Sequence, residues 1–185
     1  MKTYLTQYKP FLIFLLKFCV CYLVLTLIYK FYLSGYDTSK HEIDGFTTWV
    51  ARQTSSVIEC FGYTSVIEPH ERQASFKLFV NDRYVARVVE GCNVLSVMIL
   101  FVTFIVAFAG KWKQMLLFSV LGCLLLYLLN ILRIALLAIA LYHFPEKEKL
   151  LHEIIFPLVI YGIVFVLWII WVNKYSAYAT KNNTK

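Results

Sequence analysis

The chain has 185 residues, of which 60% are hydrophobic and 16% charged, and it carries a formal net charge of +7. That composition excludes an ordinary soluble domain and defines an integral membrane protein. The basic excess does not mark a nucleic-acid binder, because most of it flanks apolar segments and there reads as a topology signal.

Residues 10–33 are apolar apart from Lys17 and Lys30, and 24 such residues in a helix reach about 36 Å, enough to cross the hydrocarbon core. Lys30 snorkels from near one end, and Lys17 extends towards its own interface. Lys17 breaks the apolar run and no small-residue cleavage site follows, so this is an uncleaved first span and not a signal peptide. Residues 34–91 form the one sizeable polar segment, with six Lys/Arg and eight Asp/Glu. Within it, 47–58 is a short amphipathic helix. The stretches 74–80 and 84–89 alternate around Asn81-Asp82 and predict a small hairpin. A segment this short is a cap on a membrane core rather than an independent domain.

The second span is expected at 93–110. Gly110-Lys111-Trp112-Lys113-Gln114 follows as a tight basic turn. The third span, 115–142, is interrupted by Asn130 and Arg133 alone. A charged connection over 143–152 leads to the fourth span, 153–173, with Pro157 as a kink near its start. Lys2 and Lys9, the 111–113 turn, and Lys174, Lys181 and Lys185 lie in three regions without one acidic residue. The positive-inside rule makes those regions cytoplasmic and leaves 34–91 and 143–152 outside. The predicted fold is therefore an all-α integral membrane protein, a single membrane domain over 1–185. It has four transmembrane helices and a small extracytoplasmic α+β cap between helices 1 and 2.

Five cysteines occur. Cys19, Cys21 and Cys123 lie in apolar stretches and read as small buried hydrophobes. Cys60 and Cys92 flank the polar segment. There is no C-x-x-C pair and the histidines are scattered, so neither a zinc site nor any other metal or cofactor is implied.

Cys92 stands where the polar segment becomes a charge-free helix. Arg133 lies 20 residues beyond Lys113, which is about 30 Å of helix, one hydrocarbon thickness. His152 opens the fourth span. A Cys, an Arg and a His, distant in sequence, thus arrive at one outer level. The thiolate is the reactive form of a cysteine, and a helix N-terminus or a neighbouring cation favours it. A Cys with a His base, and an Arg over the oxyanion, suit acyl transfer at a peptide bond. Plainer readings stand beside this one. Cys92 is structural or forms a disulfide with Cys60; Arg133 snorkels at a helix end; His152 is an interfacial histidine. Tyr142 and His143 compete for the base role, and His41 and His70 lie in the same outer segment. Asn130, one turn before Arg133, pairs with it or with backbone.

At these residues the sequence resembles the exosortase/archaeosortase family of membrane proteases, in its short, type-F form. Glu90-Gly91-Cys92-Asn93 looks like the family's Cys motif opening a membrane helix. Asn130-Ile131-Leu132-Arg133 looks like its N-x-x-R motif, and Leu151-His152-Glu153 holds the matching His. One departure is Asn93-Val94, where many members have Ser and a small residue. The resemblance implies a cysteine protease or transpeptidase of the bacterial inner membrane. Its substrates would be proteins with a C-terminal motif, a transmembrane helix and a basic end. Cys92, Arg133 and His152 would be catalytic, with Asn93, Asn130 and Glu90 supporting them. Two other classes are a membrane thiol–disulfide oxidoreductase using Cys60 and Cys92, and a non-catalytic membrane assembly partner.

Overall fold

A computed structural model describes residues 2–37 and 41–176. The chain runs α1 (Lys2–Leu33), α2 (Gly45–Cys60), β1 (Ser65–Pro69), β2 (Ser75–Val80), β3 (Arg83–Val89), a 3-10 turn (Glu90–Cys92), α3 (Leu95–Phe108) and α4 (Trp112–His143). A 3-10 turn (Pro145–Lys147), α5 (Glu148–Leu150), a π turn (Leu151–Ile155) and α6 (Phe156–Lys174) complete it. The residues form two compact units.

Among the described residues, three helical stretches are long and apolar enough to cross a membrane: Phe11–Leu33, Trp112–His143 and the continuous run Pro145–Lys174. The fourth apolar helix is shorter than the expected 93–110. Val94 at φ 64° and Ala109 at φ 49° turn the backbone left-handed at its two ends. That leaves α3 with 14 residues, about 21 Å against a core of about 30 Å. The final helix, conversely, starts earlier than residue 153. Pro145 opens it, at a position where a missing N–H costs nothing, and Glu146 to Lys149 form its first turns instead of a connection.

One unit is built from 2–30, Leu95–Leu124 and 163–176. Its interior is aromatic. Phe104 stacks on Trp168 at 4.2 Å between ring centroids, Phe14 meets Phe108 at 4.5 Å, and Phe118 meets Trp171 at 5.2 Å. Gly122 lies under the fully buried Phe101 ring, with no room for a Cβ. Cys19 is exposed on α1, while Cys21 and Cys123 are half-buried, so these thiols are not core residues as expected. α1 turns most of its side chains outwards, as a lipid-facing helix does.

The other unit is built from Phe31–Val94 and Leu125–Gly162. Thr47, Val50, Ala51, Thr54 and Ile58 recur at helical spacing and make one buried face of α2. All three leading N–H groups of α2 find acceptors: Gly45 N donates to Tyr36 Oη at 3.1 Å, Phe46 N to Tyr32 Oη at 3.2 Å and Thr47 N to Asp44 Oδ1 at 2.9 Å. The strands make an antiparallel sheet in the order β1-β2-β3. Asn81 at φ 47° and Asp82 at φ 61° form the tight turn between β2 and β3, so the expected hairpin is present. β1 was not foreseen. Leu78, Val80 and Val88 of the sheet, Val50 and Ile58 of α2, and Ile134, Ala135 and Ala138 of α4 share one core. The polar segment is thus fastened to the C-terminal half of α4.

Candidate functional site

The Cys-bearing turn follows directly from β3. After Val89 the chain makes a single 3-10 turn, with Asn93 N donating to Glu90 O at 3.2 Å. Asn93 is 1% exposed, and its Nδ2 donates to Thr47 Oγ1 on α2 at 3.1 Å. Asn130 of α4 is 0% exposed, and its Nδ2 donates to the carbonyl oxygen of Cys92 at 2.8 Å. Asn130 therefore bonds to backbone, not to Arg133. Val94, buried and β-branched, sits in left-handed backbone, a conformation that costs roughly 1–2 kcal/mol. Two buried side-chain amides hold the loop in that strained path. The thiol precedes α3 by three residues and occupies a 3-10 turn, so it is not on the free N–H groups of a helix N-terminus, as expected from the sequence.

Arg133 lies one turn after Asn130, and Ile134, Leu137 and Leu141 continue that side of α4. His152 comes from the π turn. Pro157 has no N–H for the carbonyl of Glu153 four residues earlier, and the helical ladder widens over Leu151–Ile155 immediately before it. The expected kink is therefore a local widening, and His152 stands on it.

Cys92, Arg133 and His152 all border one cavity of about 230 Å³. Ile134, Leu137 and Leu141 give it an apolar floor. Cys92 and Arg133 are half-buried and His152 is exposed. Arg133 Nε is buried without a hydrogen-bond partner among the described residues. Cys60 and Cys92 are both free thiols, and Cys60 is exposed at the end of α2. Glu90 is half-buried and faces a different cavity, beside Tyr36, Glu42 and Asp44. Of the competing bases, His143 Nε2 is hydrogen-bonded to Tyr63 Oη at 2.9 Å, and the Tyr142 carbonyl accepts from Arg83 Nη1 at 3.2 Å. His70 Nδ1 accepts from Arg72 N at 3.1 Å. None of these, nor His41, borders the cavity of Cys92.

Two charged residues at this cavity escaped the sequence reading. Glu148 lies four residues before His152 on the same helical run, a spacing that could have revealed it. Arg87, on β3, is hydrogen-bonded to Gln73 Oε1. With Arg87 and Arg133 against Glu148, the walls favour an anionic group.

Long apolar helices with a small α+β segment define a multi-pass helical membrane protein. The chain belongs to the transmembrane exosortase family: the family model described as Transmembrane exosortase (Exosortase_EpsH) matches residues 6–175, nearly its whole length. No curated protein and no solved structure matches it.

Proposed function

We propose that this protein is a membrane cysteine endopeptidase or transpeptidase that removes C-terminal sorting signals from membrane-anchored secreted proteins. It would act at the outer surface of a bacterial inner membrane, with both termini cytoplasmic and α3 as a short fourth crossing. The observation that carries the reading is the meeting of Cys92, Arg133 and His152 on the wall of one cavity.

In this reading His152 takes the proton of the Cys92 thiol, and Sγ attacks the scissile carbonyl carbon. The carbonyl π pair moves to oxygen, where the Arg133 guanidinium offsets the charge. On collapse the C–N bond breaks and the leaving amine takes the proton from His152. The acyl group remains on Cys92 as a thioester. Water or an acceptor amine then attacks the thioester carbonyl, gives a proton to His152, and the thiolate departs. Asn130 and Asn93 position the Cys92 backbone and touch no reacting atom.

The test compares membrane-protein C-termini from cells carrying wild-type or Cys92→Ala protein. Precursors with a shared uncleaved tail should accumulate in the variant; if no C-terminus changes, the protease reading is wrong. Cys60→Ser addresses redox chemistry: the protease reading expects processing at the wild-type rate, whereas a loss equal to that of Cys92→Ala favours an oxidoreductase. A non-catalytic partner would keep its function in Cys92→Ala, Arg133→Ala and His152→Ala.

A further inference from the structure

The sheet has an open edge at β3, and its backbone groups can be assigned. Asn81 N donates to Thr64 O at 2.9 Å and His70 N to Ser75 O at 2.8 Å, at the two ends of the β1–β2 ladder. The register between them is regular, from Ser65↔Val80 to Pro69↔Phe76. Backbone groups alternate sides along a strand, so residues 75, 77 and 79 of β2 turn theirs to β1, and Phe76 and Leu78 turn theirs to β3. Their partners are Val88 and Ala86. Arg87 is left with its N–H and C=O, and Val89 with its N–H, directed away from the sheet, while the Val89 carbonyl closes the 3-10 turn that follows. Among the described residues no turn or loop hydrogen bond reaches the Arg87 backbone or the Val89 N–H.

These two residues border the cavity that holds Cys92, and so does Ala86. Successive side chains of a strand point to opposite faces. A cavity touching Ala86, Arg87 and Val89 together therefore runs along the strand's edge, since neither face alone presents all three. Glu148 and His152 line the same cavity. The thiol follows Val89 by three residues.

We propose that β3 is the recognition strand: an extended segment of the protein substrate adds to its free edge, bonding to the outward N–H and C=O of Arg87 and the N–H of Val89. Strand addition supplies main-chain hydrogen bonds with little dependence on sequence. It also fixes the chain's distance from Cys92, because the edge continues into the turn that carries the thiol. The Arg87 side chain stands where it meets an anionic side chain of the added strand. This rests on Cys92 as the nucleophile and says how the peptide reaches it.

The test uses full-length protein in cells. Proline at an outward position removes one donor and spares the ladder. Arg87→Pro should slow precursor processing about tenfold more than Arg87→Ala, the size of one lost backbone hydrogen bond. Alkylation of Cys92 by a maleimide at the wild-type rate would show that the turn survives. Should Arg87→Pro alter the fold, photo-crosslinking decides in its place. A photoreactive residue replacing Val89 in the Cys92→Ala chain should capture the accumulated precursor through the residues at its cleavage site. The same residue replacing Glu68, on the opposite edge strand, should not. Equal processing by Arg87→Pro and Arg87→Ala with Cys92 still reactive, or capture from Glu68 and not from Val89, overturns the proposal while leaving the nucleophile in place. Unchanged processing in Cys92→Ala instead removes the protease reading, and the recognition strand with it.

Discussion

Asn130 sits one turn from Arg133, and its amide holds the Cys92 carbonyl at 2.8 Å. Asn130→Ala leaves that carbonyl and a small void behind, and is expected to destabilise the fold by about 1–3 kcal/mol. Because the bond fixes the turn and not the chemistry, the alkylation rate of Cys92 should change along with processing. An unchanged alkylation rate would assign Asn130 no positioning role. The histidines divide by place. His152→Ala should slow processing severely. His143→Ala loses a solvent-exposed bond to Tyr63 and should leave processing near the wild-type rate, as C-terminal mass analysis of a precursor would register. Residue counting and charge distribution led to the expectation that Arg133 and Cys92 share one outer level, and both residues border one cavity. Neither foretold that Asn130 reaches back 38 positions to a backbone carbonyl. No periodicity encodes that contact; it exists only once the sheet has packed on α4. Nor did the motif reveal that Glu90 turns to another cavity.

Long apolar runs were legible because burial in lipid demands uninterrupted hydropathy and helical hydrogen bonding. Asn81-Asp82 was legible because few residues accept left-handed backbone in succession. The same physics made the ends of α3 illegible, since Val94 and Ala109 occupy that region without the residue types that advertise it. β1 was missed because Ser65–Pro69 is five residues ending in proline, a sequence that gains strand character only by pairing with β2. Pro145, by contrast, announced the start of the last helix, but the charges after it read as a connection. Within the aromatic unit, α3 and α4 approach through Gly122. Gly122→Ala places a methyl against the Phe101 ring and should cost about 1–3 kcal/mol. Thermal unfolding in detergent would measure it, and Phe101→Leu should restore part of the loss by clearing the ring. If Gly122→Ala is neutral, that packing is looser than described.

For the molecule as a whole, membership of the exosortase family and three long apolar helices make a membrane protein. The proposed arrangement across the bilayer rests on the charge distribution. Cys60, exposed at the end of α2, should react with a membrane-impermeant maleimide in intact cells once the outer membrane is permeabilised. A cysteine replacing Lys113 should react only after lysis. Labelling of both from one side contradicts the four-crossing arrangement. The central claim is that Cys92 becomes acylated. Mass spectrometry of the full-length protein, purified under acid quench from cells holding precursor, measures this directly. The account predicts a hydroxylamine-labile acyl adduct on the Cys92 peptide, absent in Cys92→Ala and reduced in His152→Ala. If Cys92 stays a free thiol while precursors are being cleaved, the account is contradicted.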